Sequence, residues 1–189
     1  MFQASDRRAL LQLARYSIEF GLRAGTAPAV TPAEYPASLQ ALHSSFVTLK
    51  RGPHLRGCIG QLEAHEALVH NVARNAYGAA FKDPRFPPLR AAELPDVTIS
   101  LSVLTAQEPL SFDSEAQLLQ QLRPGLDGLI LRDQAKCGTF LPSVWELLPD
   151  PVEFLRELKN KAGLARDHWS ATLTVARYGA HSFGEADDD

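Results

Sequence analysis

The chain has 189 residues, 45% of them hydrophobic and 22% charged, a composition that excludes whole-chain disorder and fits one soluble globular domain over residues 1–189. The formal charge is −3, but four acids (Glu185, Asp187, Asp188, Asp189) fall in the last five residues, so the body carries 19 basic against 18 acidic residues and lacks the basic excess of a dedicated nucleic-acid binder. No apolar run approaches the ~18 residues of a membrane span, and Asp6, Arg7 and Arg8 interrupt the opening stretch where a signal peptide needs an apolar run, so the expected compartment is the cytoplasm.

Ser5 to Leu22 reads as an amphipathic helix, with Ser5 as N-cap, Leu10, Leu13, Ala14, Ile18 and Leu22 on one face, and Gly21 and Gly25 weakening its end. Residues 26–38 hold Pro28, Pro32 and Pro36 and read as an extended connector. The period then changes: Phe46–Lys50 and Leu55–Gly60 read as two strands of a hairpin. A helix is expected from about Ala64 to Ala80, with Leu68, Val72 and Ala76 on its packed face. Asp83-Pro84-Arg85-Phe86-Pro87-Pro88-Leu89 cannot be helix or central strand and reads as an ordered loop. Val97–Leu104 alternates as a half-buried strand. A short helix follows at about Ser114–Leu122, then strands at Gly128–Arg132 and Gly138–Leu141. The last helix has Asp150 at N-cap, Pro151 at N1 and Gly163 past its end. A final strand at about Ala171–Tyr178 leads to an acidic, solvated tail at 184–189. Interspersed helices and hairpins give the α+β class, with a largely antiparallel sheet flanked by helices and a smaller lobe.

Chemistry concentrates at Leu55-Arg56-Gly57-Cys58-Ile59-Gly60. Gly57 and Gly60 open the backbone around Cys58, and Arg56 leaves an extended strand on the same face as the thiol, where a guanidinium favours thiolate. The same pattern suits a small buried residue in a tightly packed strand. Lys50, Arg51, His54 and Arg56 form a basic hairpin end able to receive a phosphate or carboxylate, or simply to discourage edge pairing. Six histidines (His43, His54, His65, His70, His168, His181) could each pair with the thiol, and the sequence selects none. His65 and His70 miss the i, i+4 spacing of a helical zinc pair, and Cys58 and Cys137 are too few for a four-thiolate site, so no metal is expected. No Walker loop, GxGxxG or GxSxG is present, and no cofactor is expected. Asp83 and Arg85 either face a ligand or tie their own loop together.

Phe46–Lys50, the Leu-Arg-Gly-Cys-Ile-Gly string at 55–60, and Asp83–Leu89 closely resemble the signature segments of the AMMECR family. Ile99–Leu104, Asp127–Leu131, Thr139–Pro142 and Lys161–Leu164 resemble its later segments in the same order, so the resemblance runs over roughly residues 5 to 184. The chain is similar to the prokaryotic single-domain type called system protein A in the AmmeMemoRadiSam set. The resemblance implies an α+β fold and a modification pathway shared with Memo-like and radical-SAM proteins. It places Arg56, Gly57, Cys58 and Gly60 in the hallmark motif and Asp83 and Arg85 in an Asp-x-Arg-Phe loop. Gln61 and Ala64 stand where the family has a small hydroxyl residue and a proline. Two functions follow as expectations: a thiol-dependent component using Cys58, with Arg56, Gly57, Gly60, Asp83 and Arg85 binding substrate, or a non-catalytic binding or scaffold domain for a protein or nucleic-acid partner.

Overall fold

The computed structural model describes residues 2–185. Helix α1 (Ala4–Ala24) begins one residue before the expected cap: Gln3 is the N-cap, its N–H donates to Asp6, and Ser5 lies inside the first turn. The helix runs through Gly21 and stops at Gly25, whose φ of 72° is the left-handed conformation that glycine supplies. Gly21 is kept for packing, since a Cβ there would sit 2.5 Å from the Phe81 ring. The proline connector is more ordered than its composition implies. It contains a 3-10 turn at Pro32–Glu34 and the short helix α2 (Ala37–Gln40), with Leu39 buried and Val30 and Tyr35 packed on the core.

Strands β1 (Ser45–Arg51) and β2 (His54–Gly60) form the expected hairpin through Gly52 and Pro53, with a register shift at Leu49/Lys50. Helix α3 (Leu68–Phe81) starts four residues later than the sequence suggests. The chain before it is held extended by a bridge between Leu42 and Ala67 and by the Leu68 N–H donating to Ala41 O (2.9 Å). That leaves Ala64 and His65 outside the helix. A 3-10 segment, Ala91–Asp96, leads into β3 (Val97–Leu104), where Val97, Ile99, Leu101 and Val103 are buried as the alternation requires.

The chain then builds a separate compact unit from Thr105–Ala180 before His181 onward returns to the first. That second unit holds β4 (Glu108–Leu110), α4 (Glu115–Gln121), β5 (Gly128–Asp133), β6 (Lys136–Phe140), α5 (Pro151–Lys161) and β7 (Thr174–Tyr178), in the sheet order β4-β7-β5-β6. Its core stacks Trp145 on Phe154 at 3.7 Å between centroids. The Asp150 cap is as the sequence dictates, accepting the Val152 and Glu153 N–H groups, and at α4 Ser114 is the cap and accepts that of Gln117.

One strand was not expected. Strand β8 (Ala180–Gly184) lies beside β3 and completes the first unit's sheet in the order β2-β1-β3-β8. It takes Gly184 out of the anticipated solvated tail. Glu185 is also fixed, accepting from Arg15 Nε (2.6 Å) and from the Ile99 N–H (2.8 Å); residues 186–189 lie outside the described part. The α+β class therefore stands, with its strands divided between two four-stranded antiparallel sheets. No helix among the described residues is long and apolar enough to cross a membrane.

Candidate functional site

In the first unit, one face of the sheet packs on α1 and α3. Val47, Leu49, Ile59, Ile99, Leu101, Val103 and Phe183 belong to that core. Strand alternation sends Thr48, Cys58, Ser100, Ser102 and Ser182 to the other face. Register places Cys58 opposite Thr48 and Thr48 opposite Ser100, so a thiol and two hydroxyls form a row across three strands. Thr48 Oγ1 donates to Cys58 Sγ at 3.4 Å, and Ser102 and Ser182 bond at 2.9 Å. A cavity of about 250 Å³ opens beside this row, lined by Lys50, Thr98, Ser100, Ser182 and Glu185 among others.

The hallmark glycines serve packing. A Cβ on Gly57 would lie 2.1 Å from the Ala79 carbonyl oxygen of α3, and one on Gly60 would lie 2.3 Å from the Phe46 ring. Only glycine lets α3 and β1 come this close.

Asp83 and Arg85 work on the backbone of Cys58. Strand β2 is at the sheet edge, so one side of its ladder has no neighbouring strand. Asp83 Oδ2 accepts the Cys58 N–H at 2.8 Å, and Arg85 Nη2 donates to the Cys58 carbonyl at 3.2 Å. The two side chains thus stand in for a missing strand at one residue. Arg85 also grips Asp83 through Nε (2.9 Å) and Nη2 (2.7 Å). These bonds, followed by those from the Cys58 and Arg85 N–H groups, hold the buried Asp83 carboxyl well below the usual carboxylate range despite the upward push of burial. The pair therefore does two things at once: it ties its own loop, and it fixes the candidate nucleophile's peptide.

Arg56 is buried and belongs to a different partnership. Its Nε and Nη2 donate to the two oxygens of Glu93 at 2.9 and 3.1 Å. Those bonds, then the Arg90 N–H, hold the Glu93 carboxyl down at about 2. The guanidinium that shares a strand face with the thiol is thus paired with Glu93. Glu93 lies 37 residues on, in a 3-10 segment that no local pattern flagged. The remaining Arg56 nitrogen, Nη1, is buried with no hydrogen-bond partner among the described residues, an arrangement that costs about 1–3 kcal/mol in a folded protein. At the departure from the family pattern, Gln61 Oε1 accepts from Arg74 (2.5 Å), so no hydroxyl acts at position 61.

No histidine is bonded to Cys58 among the described residues. His65 pairs with Glu63, His70 with Val30 O, His43 and His181 meet the Phe2 ring edge-on, and His54 sits at the hairpin end. In the second unit, His168 Nε2 bonds Asp133 at 2.5 Å, together with the hydroxyls of Ser170 and Thr172. All three point at the carboxylate, so this cluster anchors the 168–172 loop and is not a hydrolytic triad, in which serine bonds histidine. No cluster of three or more metal-ligating side chains is present among the described residues.

The AMMECR1 family model matches residues 11–183. The chain belongs to the AMMECR1 family. A protein of Methanothermobacter thermautotrophicus is 38% identical over 182 residues, covering 95% of this chain and 94% of its own. One from Thermococcus gammatolerans is also 38% identical, covering 93% and 88%. The crystal structure of an uncharacterised protein from Pyrococcus horikoshii superposes with a TM-score of 0.87 at 33% identity, covering 95% of this chain and 91% of that one. The AMMECR1 match embraces both compact units and every hallmark residue discussed above.

Proposed function

We propose that this AMMECR1 protein acts through the Cys58 thiol, as a thiol-dependent component of a modification pathway shared with Memo-like and radical-SAM proteins. The observation that carries the reading is the division of labour at one residue. Asp83 and Arg85 fix the Cys58 peptide at the sheet edge, while the side chain stays half-buried on a polar face beside Thr48. A thiol kept only as core filler would sit on the apolar face, among the residues that pack on α3. At the Ser100 end of the row, two strands from the thiol, a cavity of about 250 Å³ lined by Lys50, Thr98, Ser100, Ser182 and Glu185 among others offers room for the polar remainder of a substrate. The family resemblance supports the pathway and the partners. The cytoplasm suits two cysteines that are not bridged, since its reducing poise keeps thiols free.

The alternative, a non-catalytic domain recognising a protein or nucleic acid, would use Arg56 and Arg85 as its cations. Asp83 neutralises Arg85, and Glu93 pairs with Arg56 through two of its three guanidinium nitrogens. Complementation separates the readings. In a host lacking the gene, Cys58→Ser, which preserves size and fold, should fail to restore the metabolite profile that the wild-type gene restores. Full restoration by Cys58→Ser together with loss in Arg85→Glu would favour the binding domain instead.

A further inference from the structure

We propose that the end of the β1–β2 hairpin is a binding site for a small oxyanion, a phosphate or carboxylate group carried by a ligand. The site is a cavity of about 460 Å³ lined by Arg51, Gly52, His54, Leu55, Arg56 and Asp96. Its charge does not balance internally. Glu93 is a single carboxylate shared by three guanidinium groups, at 2.9 Å from Arg56 and 3.6 Å from both Arg51 and Arg90. Asp96 supplies one further carboxylate, 3.1 Å from Arg51. Glu93 and Arg90 stand outside the lining, which itself presents two arginines against the one carboxylate of Asp96, and an oxyanion would complete the set.

Two features separate this from a merely solvated hairpin tip. Arg56 is rigid, held by the paired Glu93 bonds with its cation 6.0 Å from the Phe86 ring centroid, and its Nη1 has no partner among the described residues. A fixed guanidinium with donors to spare is the geometry that recognises carboxylate and phosphate. The Arg51–Asp96 pair, by contrast, is well exposed on both sides, and an exposed pair of this kind is weak enough to exchange. Asp96 thus holds Arg51 until an incoming oxyanion takes its place. His54 adds an imidazole at the rim. Neither Cys58 nor its clamp contributes to the lining, so the proposal stands apart from the thiol reading.

Titration calorimetry of the intact protein with inorganic phosphate and, separately, with succinate tests it, using sodium chloride of matched ionic strength as control. Saturable binding of either probe is expected, and which one saturates tells a phosphate from a carboxylate ligand. Arg51→Gln should weaken binding about tenfold or more, as loss of a hydrogen bond to a charged group does. Asp96→Asn, which removes the competing carboxylate, should tighten it about two- to fivefold. Cys58→Ser should leave it unchanged. Heat no greater than the chloride control for both probes, or binding indifferent to Arg51→Gln and Asp96→Asn, would overturn the assignment.

Discussion

At Gly57 the β2 backbone and the Ala79 carbonyl of α3 are in direct contact, and a Cβ would meet that oxygen at 2.1 Å. Backbone cannot swing aside as a long side chain can. Gly57→Ala should therefore cost about 1–3 kcal/mol or more, read as a lowered urea midpoint with unchanged slope. The carboxylates around the hallmark motif give a second prediction. Asp83 and Glu93 both titrate lower in the folded chain than the ~3.9 and ~4.3 of unfolded Asp and Glu. A depressed folded value means the stabilisation is complete above the unfolded values and is lost as pH falls through the folded ones. Urea midpoints should hold down to about pH 5 and fall from about pH 4 to pH 2. Glu93→Gln should show a shallower fall over the same range, and an identical profile would contradict the role assigned to the Arg56–Glu93 pair. The Asp83–Arg85 tie was one of two readings the loop allowed, whereas the partner of Arg56 was invisible in sequence. Arg56 and Cys58 share a strand face, which suggested an electrostatic link, but the guanidinium turns to an acid 37 residues away.

Elements with strong local chemistry were legible. The alternation of Val97–Leu104 and the Asp150-Pro151 start of α5 are local facts, and both appear where the residues place them. Asp150→Ala should destabilise by about 1 kcal/mol, because two N–H groups of the first turn lose their acceptor; thermal denaturation measures it. Elements set by distant partners were not legible. α3 starts at Leu68 because Leu42 and Ala41 hold the preceding chain extended. The last strand of the second unit starts at Thr174 because Ser170 and Thr172 are tied to Asp133. Strand β8 is only Ala-His-Ser-Phe-Gly, with one large apolar residue; it exists because β3 offers an edge and the core accepts Phe183.

For the whole molecule, the two units follow from that return. The chain leaves the first sheet after β3, builds a second sheet with its own core, and comes back as β8. Ending the chain after Gly179 should leave the edge of β3 without a neighbour and remove Glu185 from Arg15 and Ile99. Such a truncation should lower the thermal midpoint and raise aggregation, as an exposed strand edge does, and light scattering during a thermal ramp would register both. The AMMECR1 fold thus invests its least patterned segment in closing the sheet that carries the hallmark motif. Around that motif Gly57, Gly60, Arg56, Asp83 and Arg85 all have structural partners, and the Cys58 thiol is a nucleophile whose chemistry those partners do not use.

The most direct measurement is native-state alkylation of Cys58, followed by mass spectrometry, with the exposed Cys137 in the same molecule as internal standard. A clamped peptide with an outward thiol predicts that Cys58 is modified while the protein remains folded, at a rate that Asp83→Asn changes and that Cys137 does not share. Protection of Cys58 until global unfolding, with Cys137 labelled throughout, would make it a packing residue and contradict the thiol-dependent reading.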